Sequence, residues 1–266
     1  MADPARASSR GTSRVQDSFG PNAEKYVTSP SHANPAELQR LVDRVRPRGG
    51  RFLDLATGAG HCGLAFAPHV DEVVLADLTP EMLAVAARQA ADRGLTNVST
   101  REVDVAALPF DDGEFDYLSC RIAAHHFPDQ PAAFAEMFRV LRPSGTLLFV
   151  DNVVPEDPEA ADFINRYEVI RDPSHARCYS LAELTRQLAA AGFEVAETAT
   201  RRKQMDLRAW TDRLNVAPAD LARLEAMLDG VAGPARESLA PRTVDGRRIF
   251  DLIEATIIGR RPEPVQ

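Results

Sequence analysis

Between Arg51 and Val153, short apolar runs alternate with longer amphipathic stretches, and this alternation limits the fold more than any other feature of the chain. "RFLDLA", "EVVLAD", "NVSTREVD", "FDYLSC" and "TLLFVDN" read as strands. "HCGLAFAPHV" and "TPEMLAVAARQAADRG" read as helices, the second with Thr79 as N-cap, Pro80 at its first position and Gly94 near its end. "QPAAFAEMFRVLRPSG" is a further helix, ended by Pro143 and Gly145. Strands separated by helices imply βαβ units and a mainly parallel sheet, so the fold class is α/β.

On either side the texture differs. "PAELQRLVDRV" places Leu38, Leu41, Val42 and Val45 on one helical face. "DPEAADFINRYEVIRD" and "SLAELTRQLAAAGF" read as helices, the latter with a capping box of Ser180 and Glu183. "FEVAETATRR" reads as a strand, and a β-branched run closes the chain at Ala255 to Ile258. The helical stretch from about residue 206 to 240 interrupts these two strands and reads as a lid-like insertion. Residues 1–18, Ser/Arg-rich and poor in acids, are expected as a disordered tail, with one domain over 19–266.

The 266 residues are 44% hydrophobic, enough for a substantial core, and their net charge of -8 disfavours nucleic acid as a partner. The basic clusters "TRRK" and "GRRP" are short. No apolar run approaches the roughly 18 residues of a membrane span, and the first residues lack the apolar core of a signal peptide. Cys62, Cys120 and Cys178 are far apart, with no CxxC or zinc spacing; reduced thiols, a cytoplasmic location and no metal are expected. Cys62 and Cys120 are expected to be buried, and Cys178 more exposed.

"FLDLATGAGHCGLAFA" holds Gly58, Gly60 and Gly63, a GxGxxG between a strand and a helix. In a doubly wound sheet that turn receives the cofactor, because glycines admit the ligand and the helix offers free N–H groups. Asp77 ends the second strand, where a carboxylate accepts from ribose hydroxyls. To this point NAD and S-adenosylmethionine (SAM) fit equally. Asp54, four residues before Gly58, suits a cationic ligand; Asp104 ends the third strand, within reach of an adenine amino group; and "LPF", an acidic turn and "FDYL" form a distinctive run.

With "VVLADLTPEMLAVA", "VDVAALPFDDGEFDYLSC", "AAHHFPDQPAAFAEMFRVLRPSGTLLFVD" and "RDPSHARCYSLAELTRQLAAAGFEV", the chain resembles class I SAM-dependent methyltransferases of the ubiquinone/menaquinone-biosynthesis-like (type 11) group over residues 19–200. The resemblance implies a Rossmann-like, seven-stranded, mostly parallel sheet with its last strand inserted antiparallel, helices on both faces and a helical lid. It implies SAM as cofactor, S-adenosylhomocysteine (SAH) as product, and methylation of a small molecule at carbon or oxygen. It places Gly58 and Gly60 beneath the methionine part, Asp77 on the ribose, Leu78 and Val105 beside the adenine and Asp104 with Val105 on its edge, with Asp54, Ala56, Thr57 and Met82 as further cofactor contacts. Arg121 would line the methionine end and Tyr26 would close over the cofactor. Ala56 stands where the group often has glycine.

Methyl transfer needs in-line positioning more than covalent catalysis, with a base where the acceptor holds a proton. His175, in the polar stretch "RDPSHARCYS", is the leading base candidate, and His126 is a second. His125, Arg171 and Tyr179 are candidate substrate contacts. The plainer readings are a "HHF" loop fixed by hydrogen bonds, and a turn tied by an Asp–Arg pair and a helix cap. A homodimer, a SAM-fold protein without methyl transfer, and an NAD(P)-dependent oxidoreductase also remain open.

Overall fold

The structure, a computed structural model, describes residues 13–264. Its centre is a sheet of β1 (Arg51–Leu55), β2 (Glu72–Asp77), β3 (Val98–Glu102), β4 (Phe115–Arg121), β5 (Leu141–Val153), β6 (Glu194–Asp206), β7 (Arg242–Val244) and β8 (Arg247–Arg260). The order is β3-β2-β1-β4-β5-β8-β6, with β7 paired to β8. Strands β1 to β5 are parallel, and β8 enters antiparallel between β5 and β6.

Strand periodicity explains the layers. Phe52, Val73, Leu75 and Leu148 point to one face; Leu53, Val74, Ala76 and Leu147, their neighbours in sequence, point to the other. The first face is covered by α2 (Pro35–Val45), α3 (His61–Phe66) and α4 (Pro80–Asp92), which follow the short α1 (Ala23–Val27). The second is covered by α5 (Gln130–Val140) and α7 (Leu181–Ala190). The Ser180–Glu183 capping box opens α7. Helix α6 (Pro158–Arg171) packs with the insertion helices α8 (Leu207–Asp212), α9 (Pro218–Gly230) and α10 (Gly233–Leu239) around Tyr167, Trp210 and Phe250.

Four details depart from expectation. The sheet has eight strands where seven were expected, because Asp245 and Gly246, both at positive φ, close a two-residue hairpin between β7 and β8. Helix α5 ends at Val140, and the expected helical end, through Gly145, is the start of β5, with Leu141 paired to Phe115. Cys178 is 2% exposed, sealed under α6. Part of the expected tail is structured: residues 13–19 are helical, and Gln16 Nε2 donates to Leu78 O at 2.9 Å, whereas residues 1–12 lie outside the described residues. Among the described residues, no helix is long and apolar enough to cross a membrane.

Candidate active site

A cavity opens beyond the carboxyl ends of β1, β2 and β4. Its floor is the glycine loop, and Asp54 holds that loop in shape. The Asp54 carboxylate accepts from Ser119 Oγ and Thr57 Oγ1, each at 2.5 Å, and from Gly63 N at 2.8 Å. Burial raises its pKa against the pull of these bonds. Gly63 is needed for packing: a Cβ there would meet Leu75 Cδ2 at 2.3 Å. Gly58 differs, because its φ is +55° and its Cβ would project into open space, where a ligand approaches the backbone. Ala56 also holds a left-handed φ of 53°, a conformation that costs an alanine about 1 kcal/mol.

Asp77 stands over this loop. One carboxylate oxygen accepts from Gly58 N at 2.8 Å and the other from Thr79 N at 2.9 Å, and Asp77 lines the cavity wall. Burial outweighs these bonds and raises the Asp77 pKa. Leu78, Met82 and Val105 supply apolar wall, and Asp104 lines the cavity while accepting from Ala106 N at 2.9 Å. Tyr26 is 6% exposed and closes the cavity from α1; its backbone carbonyl accepts from His61 Nε2 at 3.0 Å. Arg121 lines the cavity too, but its guanidinium donates to Ser31 O at 3.0 Å and His32 O at 3.1 Å. It therefore pins the strap 29–32 above the sheet edge.

A second, inner chamber shares Phe19, Tyr26, His32, Ile122 and His126 with the first cavity. His125 faces it. His125 Nδ1 donates to Asp151 Oδ1 at 2.6 Å, and its backbone N–H donates to Asp151 Oδ2 at 3.0 Å, leaving Nε2 to the chamber. Burial opposes charging of His125, but the Asp151 carboxylate more than offsets it and raises the His125 pKa. His126 lies 3.1 Å from Ser174 Oγ and lines both cavities; burial, then the charge of His125, lowers its pKa to about 4.

The remaining expected residues divide. Arg171 lines the inner chamber, stacked 5.0 Å over Trp210. His175 lies off both cavities: its Nε2 donates to Asn165 Oδ1 at 2.8 Å, and burial, then His125 and His126, lowers its pKa to about 3. Tyr179 is also off both, packed beside the core with Arg177 5.1 Å from its ring centroid. Asp151, Glu168, Lys203 and Arg213 line or support the chamber without having been singled out from sequence. Asp151 had a usable signal, a carboxylate at the carboxyl end of a central strand. Glu168, one turn before Arg171 on α6, had only helical spacing.

Comparison with known proteins agrees with this architecture. The sequence profile of a methyltransferase domain family matches residues 52–145. The uncharacterised methyltransferase YcgJ of Bacillus subtilis is 42% identical over 166 residues, 62% of this chain and 66% of that protein. The crystal structure of YcgJ superposes with a TM-score of 0.81 at 32% identity, covering 85% of this chain and 98% of the other. A putative methyltransferase of Bacillus halodurans gives 0.82 at 33% identity, covering 86% and 100%. The demethylmenaquinone methyltransferase of Thermus thermophilus is 42% identical over 126 residues, 46% of this chain and 56% of that protein. The chain belongs to the class I methyltransferase family, in its UbiE-like group.

Proposed function

We propose that this protein transfers a methyl group from SAM to a small-molecule acceptor, at carbon or oxygen. The observation that carries this reading is the pairing of Asp77 and the Gly58 backbone across one cavity that shares a wall with a second, polar chamber. The residues present fit SAM. Asp77 has two oxygens for vicinal ribose hydroxyls, Leu78 and Val105 offer apolar faces to an adenine, and Asp104 offers an acceptor to its amino group. Gly58 leaves room for the methionine part.

When bound, SAM supplies a methyl carbon already activated by its sulfonium. The chain's own residues then orient, exclude water and move a proton. Tyr26, Phe19 and His32 close the space between the cavities. His125, with Asp151 fixing its Nδ1–H, takes the acceptor's proton on Nε2 as a general base. His126 is the secondary candidate, since it borders both spaces. His175, held by Asn165, positions the 172–178 turn.

A thermal-shift panel tests the reading. SAM and SAH are expected to raise the melting temperature in a dose-dependent way, and NAD to leave it unchanged. Stabilisation by NAD alone would transfer the reading to an oxidoreductase.

A further inference from the structure

The chain is acidic overall, with a net charge of -8, yet the way into the inner chamber is basic. An outer vestibule shares Lys203, Trp210 and Arg213 with the chamber. Six cationic side chains line it against two carboxylates, Glu37 and Asp206. The "TRRK" cluster supplies three of the six from β6.

At the inner end of this path Arg171, Lys203 and Arg213 line the chamber together, and Arg213 is the one of them without an ion pair among the described residues. Arg213 donates to Ser29 Oγ at 2.7 Å and Ser31 Oγ at 2.8 Å, and among the described residues no carboxylate forms an ion pair with it. Burial, then the nearby Arg171, lowers the Arg213 pKa to about 10. Arg171 lies 3.6 Å from Asp172 and donates from Nε to Trp210 O at 3.3 Å. Lys203 is matched by Glu254 at 3.2 Å and also donates to Asn152 Oδ1 at 2.8 Å. The one carboxylate lining the chamber, Glu168, keeps Oε1 buried without a partner. A guanidinium held in a chamber wall without a carboxylate partner costs electrostatic energy unless an anion joins it.

We propose that the methyl acceptor carries an anionic oxygen group, a carboxylate or a phosphate monoester, which Arg213 and Arg171 hold at the inner end of the basic vestibule. This rests on the methyl-transfer reading for the location of the acceptor, but it is tested without turnover. The geometry suits the chemistry, because guanidinium forks pair with carboxylate and phosphate oxygens through two parallel donors. With its charged end held there, the rest of the acceptor lies in the chamber beside His125.

The test is thermal-shift titration of the full chain, with and without saturating SAH, using phenyl phosphate, benzoate, phenol and benzylamine. One or both anions are expected to stabilise the protein, and phenol and benzylamine to have little effect; the stronger anion identifies the group. Arg213→Gln is expected to weaken the anion response by about tenfold or more while the SAH shift is retained, and Arg213→Lys to recover part of it. An equal response to phenol, a stronger response to benzylamine, or an unchanged anion response in Arg213→Gln would overturn the proposal. Absence of an SAH shift alongside an Arg213-dependent anion shift would count against SAM and leave the anion site standing.

Discussion

The two cavities meet at Tyr26 and His126 but solve the problem of buried polarity in opposite ways. In the outer one, each carboxylate is satisfied by its own neighbourhood: Asp54 by Thr57 and Gly63, Asp77 by Thr79, Asp104 by Ala106. These bonds fix the loops before any ligand arrives. In the inner one, Glu168 Oε1 lacks a partner, and among the described residues no carboxylate forms an ion pair with Arg213. A site for an invariant cofactor is preorganised, whereas a site for a particular acceptor keeps polar capacity for it to complete.

The largest expected effect sets the chamber's His125 apart from His175 outside it. His125→Ala is expected to lower kcat about 10²- to 10⁴-fold with any acceptor that turns over, leaving SAH affinity unchanged. The raised His125 pKa places the rise of kcat/KM with pH above the ordinary imidazole value, since a base acts unprotonated. His175→Ala is expected to change kcat little. Equal losses in the two variants would erase the distinction drawn between them.

Asp54 tests whether the outer site is built into the fold. Asp54→Ala strands three buried donors and is expected to cost about 2–4 kcal/mol in urea unfolding. A loss below about 1 kcal/mol would mean that the loop holds itself.

Acid sharpens the contrast from the other side. His126, near pH 4, and His175, near pH 3, stay neutral in the folded chain well below the point at which an unfolded histidine binds a proton. Stability therefore falls as pH drops from about 6.5, by about 2 kcal/mol for each at pH 5. His125 works in the opposite sense: its contribution is full below about 6.5 and is lost as pH rises through its raised folded pKa. His175→Gln is expected to remove much of the acid sensitivity measured by urea unfolding at pH 5 and 7. Equal stability of the wild type at both would contradict the burial of two neutral imidazoles. The smallest effect belongs to Ala56, whose left-handed backbone makes Ala56→Gly stabilising by about 1 kcal/mol.

The same contrast governs what the sequence reveals. Apart from the Asp54–Ser119 bond, Asp54, Gly58, Asp77 and Asp104 bond to residues within a short span or across one βα unit, so their spacing carries their roles. The inner chamber joins Ser29 to Arg213 and Asn152 to Lys203. Those separations leave no pattern along the chain. His175 illustrates the difficulty: nothing in the polar turn itself shows that Asn165, from the preceding helix, holds its ring. The Asp245–Gly246 hairpin was legible as a turn and was hidden only by the helical texture before it.

The central claim is that the outer cavity binds SAM through Asp77. Calorimetric titration of SAH into the wild type and Asp77→Ala tests it most directly. Binding to the wild type and a loss of about 1–3 kcal/mol in the variant, roughly five- to 150-fold, is predicted. No binding to the wild type, or equal affinity in both, would contradict it.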